Sequence, residues 1–150
     1  MNNIYPLTVF FDGDCPICSA EMRNLQLRDE RQQLRFVDVA TSTQYPPGTD
    51  RAALMTLIHA QCADGSVVSG MEVFRLVYSA IGIPWVARLT SLPGLKSLSE
   101  ALYPWIARNR YRMPRVLVSM FELAMRRAAR ASAARARCGT DCRVDSKVQS

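Results

Sequence analysis

Thr8-Val9-Phe10-Phe11-Asp12-Gly13-Asp14-Cys15-Pro16-Ile17-Cys18 is the stretch on which the fold of this chain turns. Thr8 to Phe11 is a short apolar run of β-forming residues, and Asp12-Gly13-Asp14 is the turn chemistry that ends it. From Cys15 to about Asp29 the period changes: Cys18, Met22 and Leu25 recur at steps of four and three, on one face of a helix. Cys15 therefore falls at a strand-to-helix junction, where unpaired backbone N–H groups and the positive end of the helix dipole favour thiolate over thiol. Such placements draw a cysteine pKa from about 8.5 toward roughly 7 or below. Pro16 suits the first helical position, because its missing N–H has no helical acceptor there. Cysteines three apart on a first helical turn lie close enough for a disulfide.

The two sulfurs are expected to differ. Cys15, at the tip, is expected to be exposed and to act as the attacking nucleophile. Cys18, sharing a face with Met22 and Leu25, is expected to be the buried resolving thiol with the higher pKa. A carboxylate under the helix tip could accept the proton that Cys18 loses. Asp12, at the strand end, suits this better than Asp14, although both residues also serve as ordinary turn formers.

Working outward, Leu34 to Val39 reads as a second strand and Thr41 to Gly48 as a loop, with a short helix from Asp50. Met55 to Cys62 reads as a third strand. The turn Ala63-Asp64-Gly65-Ser66 leads into Val67-Val68-Ser69, a hairpin signature. Ser69 and Glu72 have capping-box spacing at the start of an amphipathic helix carrying Val73, Phe74, Val77 and Ile81. The order β-α-β-α-β-β-α with a closing hairpin is that of an α/β layer fold of thioredoxin-like type. Further helices follow: Leu98, Leu102, Trp105 and Ile106 form a stripe that Pro104 should kink. A last helix is expected from Pro114, docked on the core through Leu117, Met120, Phe121, Ala124, Met125 and Ala128. The expected division is a core over residues 1–90, a packed helical extension over 91–131, and a basic tail over 132–150.

The 150 residues suit one domain, and nearly half of them are apolar, as in a globular protein. A formal charge of +6 is concentrated in arginines beyond Arg108, which permits an anionic partner but more commonly marks a solvated helix face. No secretory signal or membrane-spanning run is visible, so a soluble, cytoplasmic protein is expected. Five cysteines cannot all pair within a monomer, and in a reducing compartment a close pair points to redox chemistry or metal.

With those motifs in view, the chain resembles the DCC family of thiol–disulfide oxidoreductases (domain of unknown function 393). The family is named for the pattern D-x-x-C-x-x-C, here Asp12, Cys15 and Cys18. The resemblance extends through Leu34-Arg35-Phe36-Val37-Asp38, Asp64-Gly65 with Gly70, Leu92-Pro93-Gly94 and Ala107-Arg108-Asn109-Arg110-Tyr111. It implies a thioredoxin-like fold and redox activity at the two cysteines. Well-studied thioredoxins place a cis-proline before the third strand; Asp50 to Thr56 has none here, which implies a different mode of substrate binding.

The expected function is thiol–disulfide exchange with a protein or low-molecular-weight partner through Cys15, Cys18 and Asp12, with no cofactor, no metal and no nucleic acid. Two other classes compete. Cys138 and Cys142 could join Cys15 and Cys18 in a zinc-stabilised interaction module, or relay electrons to the first pair. Arg126 to Arg137 could serve a nucleic-acid or membrane-surface adaptor. Cys62 reads as a small buried apolar residue, His59 as structural, and Tyr103, Trp105 and Tyr111 among their arginines as a core face with a basic exterior rather than a base-stacking platform.

Overall fold

The computed structural model describes residues 3–112, together with 114, 116–117, 119–120, 123–124, 126–127 and 130–131. Its elements run β1 (Leu7–Phe11), α1 (Pro16–Arg28), β2 (Leu34–Asp38), α2 (Arg51–Thr56), β3 (His59–Gln61), β4 (Val67–Ser69), α3 (Met71–Ala80), α4 (Pro84–Thr90) and α5 (Leu95–Asn109), closed by a 3₁₀ turn at Arg110–Arg112. The strands form one sheet in the order β2-β1-β3-β4. β1 pairs parallel with β2, Leu7 opposite Leu34 and Phe11 opposite Asp38, and antiparallel with β3, Val9 opposite Ala60. β3 and β4 form the expected antiparallel hairpin. This is a thioredoxin-like α/β arrangement with helices appended after α3.

Strand alternation sends the side chains of β1 to two faces. Leu7 and Val9 pack with Met22 and Leu25 of α1 and with Val73 and Val77 of α3. Phe10 points the other way, to Val39 and to Leu54 of α2. The sheet is thus covered on both sides, and β1 lies at its centre with α1 springing from its end.

Several local expectations need correction. Met55 and Thr56 end α2 and do not begin β3, because Asp50 caps that helix, its carboxylate accepting the Ala53 N–H at 2.7 Å. Ser69 does not cap α3: the N-cap is Gly70 at φ +66°, and Glu72 pairs with Arg75 at 2.9 Å. The helix α5 continues through Pro104. Of the expected stripe, Leu98, Leu102 and Trp105 are exposed and only Ile106 is half-buried; the buried side is the row Tyr103, Ala107 and Arg110, of which the latter two are buried. Of the C-terminal stripe, Leu117 and Met120 are exposed, while Phe121, Met125 and Ala128 lie outside the described residues.

Tyr103 fastens α5 to the sheet. Its hydroxyl accepts the Ile58 N–H at 3.1 Å just before β3, and its ring meets Phe74 edge-on at 5.5 Å. Tyr103→Phe keeps the ring but leaves a buried N–H without an acceptor, so it is expected to cost about 1–3 kcal/mol in urea unfolding. A midpoint equal to that of the wild type would show that α5 is not held there.

Candidate functional site

The turn between β1 and α1 is built around two aspartates. Asp12 is buried, and its Oδ1 accepts the Asp14 N–H at 3.1 Å, closing the turn on itself. Asp38, at the end of β2, accepts the N–H of Gly13 at 2.9 Å and that of Ala40 at 2.8 Å. Asp38 approaches Gly13 so closely that a Cβ there would overlap its carboxylate and displace it from the Gly13 N–H. An aspartate of the parallel partner strand thereby helps set the path of the loop that delivers Cys15. Ser19 secures the far side, donating its hydroxyl to the Gly13 carbonyl at 2.8 Å.

Cys15 is the N-cap of α1, with Pro16 in the first turn, and its sulfur accepts the Cys18 N–H at 3.3 Å. That backbone bond and a hydrogen bond from the Cys18 thiol favour the thiolate, as does the positive charge of Arg110. Against burial and the charge of Asp12, the Cys18 thiol's hydrogen bond being the largest cause, they lower the Cys15 pKa to about 7. The same hydrogen bond, with burial next, pushes the Cys18 thiol far up. The asymmetry of acidity is as expected. The asymmetry of access is the reverse: Cys15 has no exposed surface, while Cys18 is half-buried. Helix geometry explains this, because the N-cap side chain folds back over its own first turn to meet orphan N–H groups.

Asp12 joins the two cysteines at the end of β1, but both its oxygens are engaged. Oδ2 takes the Arg110 guanidinium at 2.5 Å and the Tyr111 hydroxyl. Arg110 also donates to the Met55 carbonyl at 2.5 Å and stacks over the Tyr111 ring at 5.0 Å. The proline-free segment before β3 thus supplies a carbonyl for an arginine from the other end of the domain. Arg110 and Tyr111 stand in a motif that carried the family resemblance, yet the sequence reading placed them in a core face with a basic exterior. The available signal was position: Arg110 follows Tyr103 and Ala107 on one helical row, a buried place for a charged residue.

Beside the cysteines opens a cleft of about 1110 Å³, walled by α1, α3, α4 and α5. Cys18 lines it and Cys15 does not. Phe74, Trp85, Tyr103 and Ile106 give it apolar walls. Glu21 also lines it, buried, with Oε1 taking the Tyr78 hydroxyl at 2.5 Å and Oε2 without a partner. Burial raises the Glu21 pKa, against the Tyr78 hydrogen bond and the charge of Arg28.

The remaining candidates separate from this site. Cys62 is buried in the main core cluster. His59 lies on β3, its Nδ1 2.9 Å from the Leu57 carbonyl oxygen. Cys138 and Cys142 lie outside the described residues, as does most of Arg126 to Arg137. Among the described residues, no three His, Cys, Asp or Glu side chains gather as a metal would require, and no helix is long and apolar enough to cross a membrane.

No solved structure matches the chain. An uncharacterised chloroplastic protein of Arabidopsis thaliana is 34% identical over 110 residues, which cover 71% of this chain. The chain spans about half the length of that relative, 51%. Residues 9–116 match the model of the DCC1-like thiol-disulfide oxidoreductases, the same group as domain of unknown function 393. That match takes in the D-x-x-C-x-x-C turn from Asp12 to Cys18 and the Arg110–Tyr111 contact to it, and the chain belongs to the DCC1-like thiol-disulfide oxidoreductase family.

Proposed function

We propose that this chain exchanges electrons between a dithiol and a disulfide through Cys15 and Cys18, acting on protein or small-molecule thiols and disulfides in a reducing compartment such as the cytoplasm. The observation that carries the reading is the Cys15 sulfur held at the N-terminus of α1, with the Cys18 N–H on it at 3.3 Å and its pKa lowered to about 7. A thiolate of that acidity is present at neutral pH and is a good leaving group when a disulfide is opened. In this mechanism Cys15 holds the negative charge in the reduced state and Cys18 holds the proton. Oxidation joins the two sulfurs and releases that one proton together with two electrons to the partner.

Asp12 takes an anchoring part in place of the proton-accepting one expected from sequence. With Oδ1 on the Asp14 N–H and Oδ2 on Arg110, it fixes the guanidinium where its charge acts on both sulfurs. Arg110 is accordingly a positioning and electrostatic residue for the thiolate. The four-cysteine zinc module and the basic adaptor both depend on residues outside the described part of the chain, and no observation favours either over exchange.

Two outcomes are expected. Diamide should convert the protein to a form two mass units lighter by a bond mapped to Cys15–Cys18, which dithiothreitol reverses; Cys15→Ser and Cys18→Ser should each abolish both this bond and catalysed exchange. Recovery of exchange in either single variant would remove the pair from the mechanism. Thiolate absorbance at 240 nm, which needs no reagent to reach the sulfur, should rise with an inflection near pH 7. Because a cation favours the anion, Arg110→Met should move that inflection upward, by about 0.5–1 unit, and Arg110→Lys should keep most of the lowering. An inflection unmoved in Arg110→Met, in protein shown to be folded, would deny Arg110 this role.

A further inference from the structure

The cleft is larger than the dithiol chemistry alone requires. At about 1110 Å³ it stands just above the usual span of small-molecule sites, which run from about 300 to 1,000 Å³ and are apolar with a few polar groups. Two of its lining groups are out of keeping with an ordinary gap between helices. One is Cys18, the half-buried and more accessible member of the redox pair. The other is Glu21, whose residue is 6% exposed and whose Oε2 has no hydrogen-bond partner although Oε1 is held by Tyr78. A buried carboxyl oxygen left unmatched costs free energy in the free protein. A ligand that supplies the missing partner recovers it.

We propose that the cleft binds an uncharged, largely apolar thiol bearing a hydroxyl-type group, with that group on Glu21 Oε2 and its sulfur presented to Cys18. This rests on the dithiol reading of Cys15 and Cys18 and names the substrate class for it. A hydroxyl suits the site in either state of Glu21, since it donates to a carboxylate and accepts from a carboxylic acid. The apolar walls of Phe74, Trp85, Tyr103 and Ile106 disfavour charged thiols, and the cations that also line the cleft are already engaged, Arg110 by Asp12 and Arg28 by Asn24.

The bond changes follow from which sulfur faces the cleft. In the oxidised protein the bound thiol gives up its proton to solvent and the resulting thiolate attacks Cys18 Sγ. A ligand–Cys18 S–S bond forms, the Cys15–Cys18 bond breaks, and the electron pair leaves on Cys15. Cys15 is the better leaving group because its thiolate is stabilised by the Cys18 N–H and Arg110. A second ligand thiolate then attacks the ligand sulfur of the mixed disulfide and expels Cys18, which takes up a proton. Two thiols become one disulfide, and the protein gains two electrons. The pairing inverts the sequence expectation: the mixed disulfide sits on Cys18.

The test uses 4-(hydroxymethyl)benzyl mercaptan and its unreactive methyl sulfide. Trp85 lines the cleft and Trp105 does not, so fluorescence of a Trp105→Phe protein reports occupancy without any redox step. The sulfide should give a saturable change, weakened about tenfold by Glu21→Leu and largely restored by Glu21→Gln. The diamide-oxidised full-length protein, mixed with the mercaptan, quenched in acid and alkylated, should carry the ligand on Cys18, and should be reduced about tenfold or more faster than by glutathione at equal thiolate concentration. No saturable change, an equal change in Glu21→Leu, ligand mapped to Cys15, or parity with glutathione would each overturn the assignment. Should Glu21→Leu fail to fold, the wild-type titration and the mapping decide alone. If dithiothreitol cycles the Cys15–Cys18 bond while the mercaptan shows none of these effects, only the cleft assignment falls; if nothing cycles it, the dithiol reading falls as well.

Discussion

Asp12 and Arg110 are 98 residues apart in sequence and 2.5 Å apart in space, both almost wholly buried. Few contacts in the domain tie so much together. Asp12 lies in the turn that delivers Cys15; Arg110, the residue just after α5, reaches across to the carbonyl of Met55 near the end of α2, and lends its charge to both sulfurs. A buried ion pair is weak evidence of net stability, since desolvation offsets most of the attraction. Losing one partner is another matter, because the survivor is left charged and unmatched, at a cost of about 3–5 kcal/mol. The pair therefore acts less as glue than as a constraint: the helix after the core, the turn before α1 and the end of α2 must be assembled together.

The acidity of the thiols follows from that assembly, and their accessibility from a different cause. Cys15 owes its lowered pKa to the Cys18 thiol and backbone N–H and to the guanidinium beyond, all of which require its sulfur to fold inward over the first turn. The same inward turn removes it from solvent. Thiolate character and exposure, which the strand-to-helix placement alone would assign to one residue, are divided here between two. In the reduced pair the more accessible sulfur is the one whose pKa is raised, and the sulfur more stable as a thiolate is the enclosed one.

Much of this was legible in the sequence where local chemistry dominates. The apolar run before Asp12, the turn residues, and Pro16 behind Cys15 were enough to place β1 and α1 within a residue or two, and the Asp64–Gly65 turn gave the hairpin. What escaped reading depended on distant partners. Met55 and Thr56 look like strand, yet Asp50 caps a helix through them. Glu72 has the spacing of a capping box, yet Arg75 takes its carboxylate. On α5 the most apolar stripe is exposed, and the face that matters carries an arginine whose partner lies near the other end of the chain. Periodicity counts apolar residues and cannot see a charge that is buried because another waits for it. The Glu21–Tyr78 contact across α1 and α3 was invisible for the same reason.

The place of Arg110 bears on what counts as a unit in this protein. The four-stranded sheet and the helices that cover it are complete by α3. The electrostatic environment of the thiols is not complete until residue 110. A fragment ending after α3 would hold both cysteines and the whole sheet but would leave the Asp12 carboxylate without the guanidinium that meets it here. Architecture and electrostatics thus have different lengths in this chain: the sheet closes by α3, while the charge beside the thiols is supplied thirty residues later.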